Sequence, residues 1–265
     1  MEPLIKLSSP ATKEFWKIPI LFEDETLLAI DKPACLLVSP DRYDPERPNI
    51  MKLLHADIAR NAEWSRLRKI SYLANVHRLD FETSGVLLLV KAKPALIHLA
   101  DQFGSEKPHK RYVTLVQGHP PEEMFEVDAK IAMHPIKVGL MRVDPKQGKR
   151  SRTKFETVEH FKSYTFLNAF PETGRTHQIR VHAKHAGVPI VGDELYGGAP
   201  LLLSNLKKNY SFKRGEEERP LMGRVALHAE SLTITHPVTG SEITIDAPMP
   251  KDLEVSIKYL RKFAQ

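Results

Sequence analysis

The aliphatic run Val86-Leu87-Leu88-Leu89-Val90 constrains this chain more than any other stretch. A short continuous apolar run bounded by turn formers has the right length for a fully buried strand. Thr83-Ser84-Gly85 supplies the turn, and His77-Arg78-Leu79-Asp80-Phe81-Glu82 leads into it. A carboxylate and a guanidinium therefore sit at the mouth of a core strand. Asp80 is a candidate nucleophile or base. The competing reading is an Asp that caps its turn with Arg78 as a surface ion-pair partner, the commoner outcome for an isolated Arg-x-Asp.

The rest of the chain reads mostly as strands. Residues 20–23 and 27–30 flank the turn Asp24-Glu25-Thr26, and further strands are expected at 85–90, 111–117, 154–161, 165–170, 232–236 and 242–245. Helical spacing appears at 50–60, where Leu53, Leu54, Asp57 and Ile58 form a stripe, and again at 94–103. Strands at hairpin spacing, with few helices and no regular alternation, predict an α+β domain. Its sheet should be largely antiparallel or mixed, with flanking helices, rather than doubly wound. Residues 1–19 are expected to be an N-terminal extension and 20–265 a single catalytic domain. The charged stretch 201–222, with Glu216 to Arg219, is expected to be the most mobile loop.

At 265 residues and 42% hydrophobic, the chain can bury a sizeable core. Its longest apolar run is far short of a membrane span, and residues 1–16 lack the pattern of a signal peptide. A cytoplasmic, membrane-free protein is expected. One cysteine, Cys35, excludes an internal disulfide and a site of several thiolates. Lys and Arg total 39 against 33 Asp and Glu, a net charge of +6. The excess is concentrated at Lys146, Lys149, Arg150, Arg152 and Lys154, and again at Lys207, Lys208, Lys213 and Arg214. Most such runs are solvated loops, and two of them in a basic chain raise the odds of phosphate contacts.

Residues 172–187 open on a turn at Gly174 and continue as a short helix, with Thr176 as its expected cap and Gly187 as its stop. Arg175 and Arg180, five residues apart, would face different ways, so that one can meet ligand while the other pairs with a buried carboxylate. His177, His182 and His185 lie among cations with no completing acidic or thiolate ligand. Surface or RNA-facing histidines are expected there, and no metal. Lys110-Arg111-Tyr112 places an aromatic ring near the start of a strand. Such a tyrosine either packs in the core or stacks a base and moves a proton. Walker A, dinucleotide and Gly-x-Ser-x-Gly patterns are missing from the sequence.

Together these elements resemble the RluA family of RNA pseudouridine synthases along nearly the whole chain. Glu23 to Pro33 looks like its first motif, His77 to Leu88 its catalytic motif, Lys110 to Tyr112 its tyrosine motif, and Glu172 to Tyr196 its third. Leu227-His228-Ala229 and His236 to Gly240 resemble its C-terminal signature. Cys35 and Ser39 stand where the family usually has Gly and often has His. The small S4-type RNA-binding domain of many relatives is not expected in the residues before Ile20.

The resemblance implies Asp80 as catalytic carboxylate, Tyr112 as the ring stacked on the target base, and Arg180 as the ion-pair partner of Asp80. Arg78 would fill the space left by a flipped nucleotide. Arg175, His177 and Lys110 would be RNA or structural contacts. The substrate would be ribosomal or transfer RNA, with no cofactor, and the enzyme a monomer. Isomerising uridine breaks N1–C1′ and joins C5 to C1′ without redox change. It needs a carboxylate, a cation to keep that carboxylate ionised, and a flat surface to hold the detached base. Attack on C1′, addition to the ring and abstraction of a sugar proton all remain open roles for Asp80. A catalytically silent RNA-binding protein gains nothing from a buried carboxylate, and a glycosidase-like hydrolase would want a second one, for which Glu82 is the neighbour in sequence.

Overall fold

A computed structural model of the chain describes residues 4–41, 44–208, 210 and 217–265. These form two compact units. The first comprises Met1–His109 and Ala229–Pro248, the second Lys110–His228 and Met249–Gln265. In chain order the first contains β1 (Leu4–Ser9), β2 (Glu14–Glu23), β3 (Leu27–Lys32), α1 (Ile50–Ala59), α2 (Glu63–Leu67), β4 (Ala74–Asn75), β5 (Ser84–Val90) and α3 (Lys93–Gly104). The second follows with β6 (His109–Gln117), β7 (Met124–Asp128), β8 (Ile131–Met133), β9 (Met141–Val143), β10 (Arg152–Phe161), β11 (Tyr164–Pro171), α4 (Gln178–His185) and α5 (Leu203–Leu206). The chain then returns through β12 (Leu227–Thr235) and β13 (Glu242–Asp246) and closes with α6 (Lys251–Phe263). The expected α+β class is what forms.

In the first unit the strand order is β1-β2-β3-β5-β12, with β4 on β5 and β13 on β12. The pairs β1·β2, β2·β3, β3·β5, β4·β5 and β12·β13 are antiparallel. All seven residues of β5 are buried. Each of its large aliphatic side chains contributes about 1.5–3 kcal/mol by leaving water. The boundary expected between residues 19 and 20 falls inside β2. Residues 4–9 pair with 14–19, and Ile5, Leu7 and Ile18 are fully buried. This segment is thus part of the sheet rather than an extension.

Asn49 caps α1 by accepting the Lys52 N–H at 2.9 Å. Asp57 lies on the buried face of α1 because its carboxylate accepts the Trp64 indole N–H and an Arg60 N–H, both at 2.7 Å. The turn between β2 and β3 is closed by Asp24, whose Oδ1 accepts the N–H groups of Thr26 and Leu27 at 2.7 Å each. Its Oδ2 meets Nε2 of buried His236 at 2.8 Å, while His236 Nδ1 accepts the N–H groups of Val238 and Thr239. Burial opposes ionisation of Asp24, but these N–H groups and His236 outweigh it and hold the carboxyl below its ordinary range. The first and last sequence signatures therefore meet in one structural clasp.

In the second unit the order is β6-β11-β10-β7, with a separate β8-β9 hairpin. The pairs β6·β11, β10·β11, β7·β10 and β8·β9 are antiparallel. Phe155, Phe166, Leu167, Ile190, Leu253 and Leu260 belong to its core. The C-terminal α6 was not among the expected helices. Its apolar face (Leu253, Ile257, Leu260) is buried, acidic residues fill its first turn and basic residues its last. Buried Arg224 fastens it by forking Asp252 at 2.7 and 3.0 Å. Of the basic runs and the loop singled out in the sequence, residues 209 and 211–216, Lys213, Arg214 and Glu216 among them, lie outside the described residues.

Candidate active site

The Asp80 loop is held by backbone anchors on either side of it. His77 accepts the Leu88 N–H through Nε2 at 3.0 Å and stacks on Phe103 with ring centroids 5.1 Å apart. Lys32 is completely buried, and its ammonium donates to the carbonyls of Pro33, Phe81 and Thr83 at 2.9, 3.2 and 2.7 Å. Burying a lysine is costly, and three carbonyl acceptors offset the desolvation. Gly85 takes φ +113°, and a Cβ there would lie 2.1 Å from the Ala229 carbonyl oxygen. Only glycine lets β12 approach at this point. Between these anchors Asp80 is partly buried and Arg78 exposed, while Leu79 turns into the core. The Arg47 guanidinium sits 4.0 Å from the centre of the Phe81 ring.

Lys32 lies in the first motif with no local sign of this role, because two of its three acceptors, the Phe81 and Thr83 carbonyls, are 49 and 51 residues away. Cys35 has φ +58°, a left-handed conformation costing a non-glycine residue about 1–2 kcal/mol, which accounts physically for glycine as the usual occupant of this position.

In the second unit Tyr112 lies on β6 opposite Ala169, partly buried against the core. Lys110 donates to the carbonyls of Glu172 and Thr173, both at 3.3 Å, and so braces the loop that leads to α4. The cap of α4 differs from expectation. Thr176 makes no cap; His177 occupies the cap position in a left-handed conformation, φ +54°. The side chain of Gln178 instead turns back, and its Oε1 accepts the Thr173 hydroxyl and the Arg175 N–H at 2.5 and 3.0 Å. Its Nε2 donates to the Arg152 carbonyl and Thr153 Oγ1, both at 2.9 Å. Gly187, φ +82°, ends the segment as expected.

Arg175 and Arg180 do diverge. Arg175 is exposed and donates through Nε to the Arg150 carbonyl at 3.2 Å. Arg180 is only 4% exposed and forks Asp193, itself 1% exposed, through Nε and Nη2 at 2.7 Å each. The Tyr196 ring centre lies 5.0 Å from its guanidinium carbon. Tyr196 Oη meets His177 Nδ1 at 2.8 Å and the Met141 N–H at 3.0 Å. Asp193 was passed over because nothing in Gly192-Asp193 marks a carboxylate as internal. Gly192 carries the local signal: φ is +75°, and a Cβ would lie 2.3 Å from the Arg224 carbonyl oxygen.

Two sequence readings need correction. His182 is neither on the surface nor RNA-facing. It is fully buried on α4, with Nδ1 2.9 Å from Thr153 Oγ1 and Nε2 3.0 Å from the Ala129 carbonyl. The basic run 146–154 also divides. Lys146, Lys149 and Arg150 are exposed on the loop turned by Asp144, whereas Arg152 and Lys154 on β10 are paired with Asp128, Glu126 and Glu172.

Burial lowers the pKa of His182 below 6.5. Below that pH the unfolded chain takes up a proton that the folded state resists, so stability is full above about 6.5 and falls as pH drops. Thermal melts from pH 7.5 to 5.5 should reveal a loss of no more than about 1.4 kcal/mol from this group. His182→Gln should show a flatter profile over that interval.

Residues 26–185 match the family described as RNA pseudouridylate synthase. A ribosomal large subunit pseudouridine synthase D of Xanthomonas campestris is 35% identical over 262 residues, covering 99% of this chain and 75% of that protein. The enzyme of that name from Escherichia coli K12 is 33% identical over 92% of this chain and 71% of its own length. Among solved structures, human RNA Pseudouridylate Synthase Domain Containing 4 shares the fold, with a TM-score of 0.69 at 22% identity over 91% of this chain and 92% of that one. The fold is that of a pseudouridine synthase. The chain belongs to the RNA pseudouridylate synthase family. It is an enzyme that isomerises uridine in RNA.

Proposed function

We propose that the enzyme modifies ribosomal RNA, with Asp80 as its reacting carboxylate, Tyr112 as the ring holding the uracil, and Arg180 as the ion-pair partner of Asp80. The carrying observation is the match to large-subunit ribosomal RNA synthases across 99% of the chain at 35% identity. The reaction cleaves N1–C1′, turns the retained uracil and forms C5–C1′; the proton lost from C5 is balanced by one gained at N1. A loop anchored by Lys32, His77 and Gly85 suits a carboxylate that must meet a sugar or pyrimidine carbon at fixed distance. Arg180 engages Asp193 through Nε and Nη2, which leaves three of its five N–H donors beyond that fork. Exposed Arg78 would enter the stack vacated by a flipped nucleotide, and exposed Arg175 would contact phosphate.

Among the described residues no helix is long and apolar enough to cross a membrane. The reading places a monomer in the cytoplasm, working on RNA without a cofactor. Its test is to incubate the protein with transcripts of ribosomal and transfer RNA, follow the nucleosides by chromatography, and map pseudouridine in cells with and without the gene. Pseudouridine in large-subunit ribosomal RNA that disappears with the gene is the expected result. Modification confined to transfer RNA would overturn the substrate, and release of free uracil would overturn the reaction.

A further inference from the structure

The second unit carries a concavity of about 710 Å³ whose wall includes Lys162, Lys207, Lys208 and Lys262, together with Ser204 and Phe263. Among the described residues its lining has no Asp or Glu. The Lys207 and Lys262 ammonium groups lie 5.9 and 5.2 Å from the centre of the Phe263 ring, which gathers both about one aromatic surface. The walls are tied together: Lys162 donates its N–H to the Ala264 carbonyl at 2.6 Å, and α5 packs on α6.

Tyr112 pairs with Ala169, whereas Tyr164, in the concavity, pairs with Gln117. The two places are thus at opposite ends of the β6·β11 ladder, roughly 16 Å apart at about 3.3 Å per residue. Four lysines lining one hollow concentrate positive charge there, and an anion that enters relieves their mutual repulsion. A hollow of about 710 Å³ lined by four lysines suits successive phosphates of a strand better than one small anion.

We propose that this lysine-lined concavity is a second RNA-binding site, one that holds the phosphodiester backbone of the substrate at a distance from the reacting uridine. The inference rests on RNA being the substrate. Long RNAs would reach both ends of the β6·β11 ladder, and short ones only the Tyr112 end.

The test compares the triple variant Lys162→Gln, Lys207→Gln, Lys262→Gln with a control losing equal charge, Lys6→Gln, Lys13→Gln, Lys17→Gln, all three exposed in the first unit. Binding and turnover are measured on a long ribosomal RNA transcript and on a short stem-loop transcript, across a salt series. On the long RNA the concavity variant should lower the salt slope by about 2, at about 0.7 per lost contact, and raise KM about tenfold with kcat unchanged. The short RNA and the control should behave as wild type. A concavity variant indistinguishable from the control on the long RNA would overturn the proposal, as would equal losses on long and short RNA. If the wild-type protein modified neither transcript, the functional reading would fail, and the salt slopes would still decide the second site.

Discussion

Asp80→Asn should lower pseudouridine formation on the order of 10³-fold or more, while the melting temperature and RNA affinity stay near wild type. The backbone anchors of this loop are the Lys32 ammonium on the Phe81 and Thr83 carbonyls and the His77 ring on the Leu88 N–H. None of them uses the Asp80 carboxylate. The amide keeps the shape of the side chain and cannot serve as nucleophile or base. Single-turnover assays on a ribosomal RNA transcript, with melts and binding run on the same preparation, would check this. Turnover within tenfold of wild type would remove Asp80 from the chemistry.

Asp193→Asn should destabilise the protein by about 3–5 kcal/mol, because it strands the Arg180 charge in a place where the guanidinium is only 4% exposed. For a chain of this size that corresponds to a fall in melting temperature of roughly 6–20 °C. Turnover should fall with it, since Asp193 holds the Arg180 guanidinium in place through Nε and Nη2. Combining Asp193→Leu with Arg180→Met removes both charges and should recover much of the stability but none of the activity. That split separates a positioning role from a purely structural one. If the single Asp193→Asn substitution left the melt unmoved, the buried pair would be contributing nothing.

Local rules read much of this molecule. The aliphatic run at β5, the Asp24 turn, the α1 and α3 stripes and the glycine stop after α4 are encoded in adjacent residues, so propensity and periodicity find them. The ordered motifs also pointed to the family and to a carboxylate at the mouth of a core strand. Elements whose stability comes from distant partners were missed. β1 exists because it pairs with β2, and α6 needed the Arg224 fork as well as its own apolar face.

The same division runs through the site. Sequence determined the chemical types available near Asp80, Tyr112 and Arg180, and the divergence of Arg175 from Arg180. Only the tertiary structure decided that Lys32 reaches across 49 residues to hold the Phe81 carbonyl, that Gln178 rather than Thr176 closes the start of α4, and that Asp193 is the carboxylate under Arg180. Charge and hydrogen bonding act through space, and burial multiplies their strength. A lysine or an aspartate looks alike in a sequence whether it faces water or three carbonyls in the core.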